Sequence, residues 1–258
     1  MRRKNFGRAM VVLAAMASLC GCVHLRMPAA RTWSWNWPPW TRRAEVTADE
    51  ALTADAAAGD GSAQYTLGFS LLYGEGLPRD VGEGLAWLRK SGESGFLKAQ
   101  AALGLLYMKG MPGDVSVDER QAVQWLEMAA RQGHASSQAS LGALLLSQSS
   151  AVRDPEAGVV WLKRAAGQGD VTAQVALGLM YHKGYVVAQN DEESVRWYSK
   201  AAGQGRADAQ TQLGIAHYRG RGAAQSFTEA RAWFERAAAQ GDALAMSNLG
   251  VMASRGEA

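Results

Sequence analysis

Six Leu-Gly pairs run through this chain in near-constant phase. They fall at residues 67–68, 103–104, 141–142, 177–178, 213–214 and 249–250, with spacings of 36, 38, 36, 36 and 36. Trp87, Trp125, Trp161, Trp197 and Trp233 keep the same period, and each is followed eight residues later by a glycine: Gly95, Gly133, Gly169, Gly205 and Gly241. A small residue stands four positions before each Leu: Ala63, Ala99, Ser137, Ala173, Ala209 and Ala245. A period in this range marks a stack of identical supersecondary units, each burying its apolar face only against its neighbours. The 29 glycines, an odd excess for a helical chain, then sit at fixed junctions.

Each unit reads as helix–turn–helix. The first helix (A) carries Ala-Gln-x-x-Leu-Gly-x-x-Tyr, as in residues 173–181. Its Ala, Leu and Tyr recur at i, i+4 and i+8 along one stripe. The glycine of the pair admits a close partner helix, at a propensity cost of about 1 kcal/mol. Gly74, Gly110, Gly184 and Gly220 are placed to end A helices in the left-handed conformation. The second helix (B) starts seven residues before each Trp, at Asp80, Asp118, Asp154, Asn190 and Ser226. Glu83, Gln121, Glu193 and Glu229 stand three positions on, which predicts reciprocal capping boxes. The exception has Pro155 at the first helical position. Trp161, Ala165 and Ala166 are expected to form the large-and-small packing face of helix B.

The pattern resembles the Sel1-like repeat, a relative of the tetratricopeptide repeat, over about residues 60–258. The run Leu67-Gly68 through Tyr73-Gly74-Glu75-Gly76-Leu77-Pro78-Arg79-Asp80 to Trp87 carries the resemblance. It implies an all-α, right-handed α-solenoid, with units at about 60–95, 96–133, 134–169, 170–205 and 206–241 and a partial unit at 242–258. Residues 47–59 read as a capping helix, and both ends are expected to turn a polar face outward. The second unit has two extra residues within Met111–Val117. The third has Gln148 in place of the glycine and Leu145 in place of Tyr, which predicts a looser turn over 147–150. The body lacks the cysteine pairs of the cysteine-rich Helicobacter-type members, and with them the reason to carry over their β-lactam-related activities.

The N-terminus reads as an address. Met1–Arg8 is basic and Ala9–Leu19 is apolar over 11 residues, short of the roughly 20 that span a bilayer. Residues 1–21 therefore read as a signal peptide. Leu19-Cys20-Gly21-Cys22 resembles a bacterial lipoprotein box, which implies cleavage after Gly21, acylation of Cys22 and a stable membrane hold. Val23 after it fits the outer membrane, with the protein facing the periplasm; a secreted protein is the alternative. Residues 22–46 form a tether whose Trp33, Trp35, Trp37 and Trp40 suit either the membrane interface or a fold back onto the array. The leader's Arg2, Arg3, Lys4 and Arg8 account for the net charge of +3. Without them 23 basic residues face 24 acidic ones, a net of −1, which argues against a nucleic-acid partner. The two cysteines lie in this region, so the body holds no disulfide framework.

If tetratricopeptide geometry carries over, the A helices line a concave groove, with groove positions at −5, −2, +2, +5 and +6 from each repeat Leu. Its candidate residues are Tyr65, Phe69, Tyr73, Met108, Lys109, His182, Lys183, Tyr218, Arg219 and Arg255. The +6 row reads Tyr73, Lys109, Ser147, Lys183, Arg219, Arg255, cationic at four of six positions. That suits a protein partner or an extended anionic polymer, although Lys and Arg also favour the last turn of any helix. No hydrolase elbow, zinc-protease motif or phosphate loop is present, and His182 with His217 lacks the third ligand of a catalytic zinc. The sequence therefore points away from an enzyme, with no cofactor, metal or small-molecule substrate. It suits an envelope-anchored interaction scaffold in secretion, polysaccharide export or envelope assembly, like the alginate-export lipoproteins it resembles. A secreted or host-directed repeat factor is the alternative.

Overall fold

The computed structural model describes residues 48–257. The leader, Cys22 and the Trp-rich tether lie outside them. Among the described residues are twelve α-helices and an isolated antiparallel bridge between Met111 and Val115. The A helices are α2 (Gly61–Tyr73), α4 (Leu97–Lys109), α6 (Ala135–Leu146), α8 (Val171–Lys183), α10 (Ala207–Arg219) and α12 (Ala243–Arg255). The B helices are α1 (Ala48–Ala57), α3 (Val81–Glu93), α5 (Glu119–Arg131), α7 (Pro155–Gly167), α9 (Asp191–Gly203) and α11 (Phe227–Ala238). Each helix packs on the one before and the one after it, and A helices also meet across repeats, α4 with α6 and α10 with α12. Buried apolar clusters follow one another along the array instead of converging on one centre. None of the described helices is long and apolar enough to cross a membrane.

Close helix approach explains the Leu-Gly pair. A Cβ built on Gly68 would lie 2.8 Å from Leu88 Cγ, and one on Gly214 would lie 2.5 Å from Phe234 Cε1. The residue pressed against each of the first five glycines is the one after the repeat Trp: Leu88, Leu126, Leu162, Tyr198 and Phe234, all buried. The repeat Trp residues pack at the edge of this contact, against the buried clusters. Four of the five indoles are only half-buried, and each has the cation three residues on over its ring: Lys90, Arg164, Lys200 and Arg236, 4.1–4.9 Å from the centroid. The fifth, Trp125, is buried and has Met128 at that position.

The caps form, but not as reciprocal boxes. Asp80, Asp118, Asp154, Asn190 and Ser226 each accept from the N–H three residues on. Their own N–H groups donate to the preceding A helix, at the carbonyls of Leu71, Tyr107, Leu145, Tyr181 and His217. The cap residue thus fixes the angle between the two helices of a unit, and a Glu at the third position has no N–H left to satisfy.

The glutamine after each small residue has a structural task. Gln64, Gln100, Gln138, Gln174 and Gln210 are buried, and each Nε2 donates to the carbonyl eight residues earlier, on the preceding B helix. Their Oε1 atoms accept from Gln132, Gln168, Gln204 and Gln240, which end the B helices of the same units. In the first unit Ser94 stands where the others have that second glutamine, and Gln64 Oε1 is buried without a partner.

Departures from the period rebuild the turns. Gly74, Gly184 and Gly220 take left-handed cap geometry, whereas Gly110 has φ 71° and ψ 175° because the longer loop turns back into the Met111–Val115 bridge. The third-unit turn is not loose. Glu119 accepts from the Ser150 hydroxyl and the Ala151 N–H, and the Tyr185 hydroxyl donates to the Leu146 carbonyl. The expectation of a polar outer face fails at α12, where Leu244 and Met246 are 51% and 50% exposed. Met246 takes the place of the glutamine, and no described helix follows to cover it.

Candidate binding surface on the A helices

Two rows run along the A helices. Two positions after each repeat Leu stand Phe69, Leu105, Ala143, Leu179, Ile215 and Val251, all apolar and all at least partly exposed. Four residues further stand Tyr73, Lys109, Ser147, Lys183, Arg219 and Arg255, on the same helix face except for Ser147, the extended residue that ends α6. Lys109, Lys183 and Arg219 are exposed and make no hydrogen bond or ion pair with a described residue. Arg255 donates to the Tyr218 hydroxyl at 2.7 Å, and that hydroxyl donates to Glu257 at 2.8 Å. Of the other groove positions expected by analogy, Thr211 is buried between helices, and Leu72 and Ala101 are buried side chains that reach the surface only at the floor of a cleft.

The rows open into a cleft at the first two units. It holds about 520 Å³ between α2 and α4, and Tyr65, Phe69, Tyr73 and Lys109 all line it. Tyr65, Phe69 and Tyr73 stack in tilted sequence, with centroids 5.2 and 4.8 Å apart. Burial, then the neighbouring Tyr73, pushes the Tyr65 phenol above its usual pKa. Met108 is not part of the lining; it packs against the core below. Lys98, at the −5 groove position, lines the cleft too, and the rim also includes residues that the period alone does not reveal: Met111, Pro112 and His134. The two-residue insertion was the available signal for Met111 and Pro112.

At the other end the same rows meet a closed surface. His182, Ile215 and Arg219 line a cavity of only about 20 Å³ with Asp191 and Arg221. Asp191 bridges His182 Nδ1 at 3.0 Å and Arg221 Nη2 at 2.9 Å. Desolvation opposes its ionisation, but hydrogen bonds from His182 and Arg221 outweigh that and hold the carboxyl below its usual range. His182 is therefore engaged in a joint between units, and His217 Nδ1 meets the Ala224 carbonyl. Burial first, then Asp208, pushes the nearby Tyr198 phenol up to about 12. Among the described residues no three His, Cys, Asp or Glu side chains come together as a metal site.

Comparison with known proteins agrees with this geometry. The family model described as Sel1 repeat matches residues 61–96, 97–134, 135–170, 171–205 and 207–242. No curated protein matches the sequence. Among solved structures, a protective antigen of uropathogenic Escherichia coli with an SLR fold aligns at 32% identity over 80% of this chain, with a TM-score of 0.69. A Sel1 repeat protein from Oxalobacter formigenes aligns at 31% identity over 78%, with a TM-score of 0.65. This chain spans 44% and 57% of the length of those two chains. Five family matches in the register of the observed helix pairs leave one assignment: the chain belongs to the Sel1 repeat family.

Proposed function

We propose that this protein is a non-catalytic interaction scaffold, held on a bacterial envelope membrane by an acylated Cys22 and binding a protein partner along its A helices. The paired rows carry the reading. An apolar row beside cations that have no acid of their own offers dispersion and charge to an elongated partner, and repeat arrays use such extended faces for binding. The lipoprotein-type box at Leu19–Cys22 supports the anchor and an outer-membrane site facing the periplasm. The likeness to a protective antigen of uropathogenic Escherichia coli supports an exported setting.

Reversing Lys109, Lys183 and Arg219 together to Glu tests the binding face by crosslinking pull-down from membranes. Capture should fall at least about tenfold, and its sensitivity to salt should fall with it. Undiminished capture by a folded variant removes the A-helix face from the account. Radiolabelled palmitate should enter the parent and not Cys22→Ala; equal labelling of both rejects the anchor.

A further inference from the structure

We propose that the cleft between α2 and α4 is a specific docking point for an extended acidic segment of a protein partner. It takes one large apolar side chain on its floor and flanking carboxylates at Lys98 and Lys109. This rests on the A-helix face being the binding face, and it adds where along the array the partner is read and what chemistry reads it.

The two rows alone do not make a pocket, since their C-terminal counterpart encloses about 20 Å³ against about 520 Å³ here. Two features separate them: Asp191, His182 and Arg221 close the C-terminal rows, and the insertion adds Met111 and Pro112 to the rim here. Gly110, with ψ 175°, leaves α4 on a path open to glycine, and Met111 and Val115 exchange backbone hydrogen bonds of 2.7 and 2.9 Å. Arg79, from the preceding unit, pairs with Asp114 and touches Met111 Sδ, so both ends of the loop are held. Val115 is buried beneath it. The result is a fixed lip, Met111-Pro112, on the edge of the cleft. The other four turns lack the extra residues.

The floor decides the class of ligand. Leu72, Leu88, Ala101, Leu105 and Leu106 offer carbon and no side-chain donor or acceptor. A sugar seated there would leave hydroxyls unpaired, whereas an aliphatic or aromatic side chain gains by leaving water. The stacked Tyr65, Phe69 and Tyr73 make one wall, and Tyr73 is 47% exposed. Lys98 and Lys109 stand on the rim without a described partner. They are eleven residues apart on α4, which is about three turns and roughly 16 Å along one helix face. An extended chain covers that distance in about five residues. The expected motif is therefore a Phe, Leu or Met between two acidic residues about five positions apart.

A random-peptide display library selected on the full chain, with counter-selection on the Lys98→Glu, Lys109→Glu double variant, tests this. Enriched peptides should carry that motif. Their affinity, read by fluorescence anisotropy, should drop about tenfold or more in the double variant, in Tyr73→Ala and on deletion of Pro112 and Gly113, as expected for losing an anchor or a charge partner. Lys183→Glu and Arg219→Glu should leave it unchanged. Unfolding temperatures matched to the parent keep loss of fold out of the comparison. No enrichment over the counter-selected variant overturns the proposal, as do enriched peptides without acidic residues. Binding that depends on Lys183 and Arg219 but not on Lys98 and Lys109 also overturns it, while leaving the broader A-helix face intact. An oligouronate that binds through Lys98 and Lys109 where no peptide does would replace the ligand class.

Discussion

At the scale of single residues, glycine positions separate into those that need space and those that need a backbone angle. Gly222 needs both, since φ is +73° and a Cβ there would lie 2.1 Å from the Asp191 carbonyl oxygen. One repeat earlier Val186 holds the equivalent position with φ 62°, a β-branched side chain in the left-handed region, 40% exposed. A Cβ in that region costs roughly 1–2 kcal/mol, partly offset by the extra unfolded-state freedom of glycine. Val186→Gly should therefore raise stability by about 0.5–1 kcal/mol in urea titration. Gly222→Val should lower it by more than Val186 costs, because the steric clash adds to the angle. A Val186→Gly variant no more stable than the parent would mean that this turn relaxes its own strain.

At the scale of elements, the junctions between units are made by side chains that reach across turns. Asp191 at the start of α9 holds His182 of α8 and Arg221 of the following turn. Glu119 at the start of α5 does the same for Ser150 and Ala151. Because the Asp191 carboxyl is held below its usual range, the folded state binds its proton less readily than the unfolded chain. The stabilisation is complete above the unfolded value near 4 and is lost as pH falls through the lower folded value. Asp191→Asn should cost up to about 1 kcal/mol at neutral pH, given partners open to solvent. That difference should shrink toward zero as the pH is lowered from about 4; a difference constant between pH 7 and pH 3 would assign it to shape instead of charge. These joints also mark where the sequence stops being readable. Helix ends, the Leu-Gly contact and the B-helix caps are local or recur in phase, and they stand out from spacing alone. The direction of the cap N–H, the pairing of Gln100 with Gln132 and the lip at Met111-Pro112 depend on which units become neighbours. Tyr65, Phe69, Tyr73 and Lys109 were legible as one surface because they share a helix-A register. His182 was legible in place but not in role, because its partner Asp191 belongs to another helix.

At the scale of the whole array, stability is a sum of units and of interfaces between neighbours, so the two ends need not be equal. The first two units share one large buried cluster with α6, built from Leu72, Leu88, Leu103, Trp125, Leu126 and Leu141 among others. The last cluster has only Phe234 and Met252 as large buried side chains, the rest being alanine. α12 adds little to it, with Ala245 and Met252 buried, Gly250 facing nothing within 4 Å and Leu244 and Met246 in solvent. Local opening follows buried apolar contact. Amide exchange of this chain should therefore be graded, with α12 exchanging first, α10 and α11 next, and α3 to α6 protected longest. Met246→Gln, which restores the residue of the other units, should slow exchange in α12, because its Nε2 can donate to the Ala238 carbonyl on α11 as the other glutamines do eight residues back. Leu244→Lys should leave α12 exchange unchanged, since that side chain is half in water already. Uniform protection from α2 to α12 would show that the units unfold as one body, and the additive picture of the array would then fail.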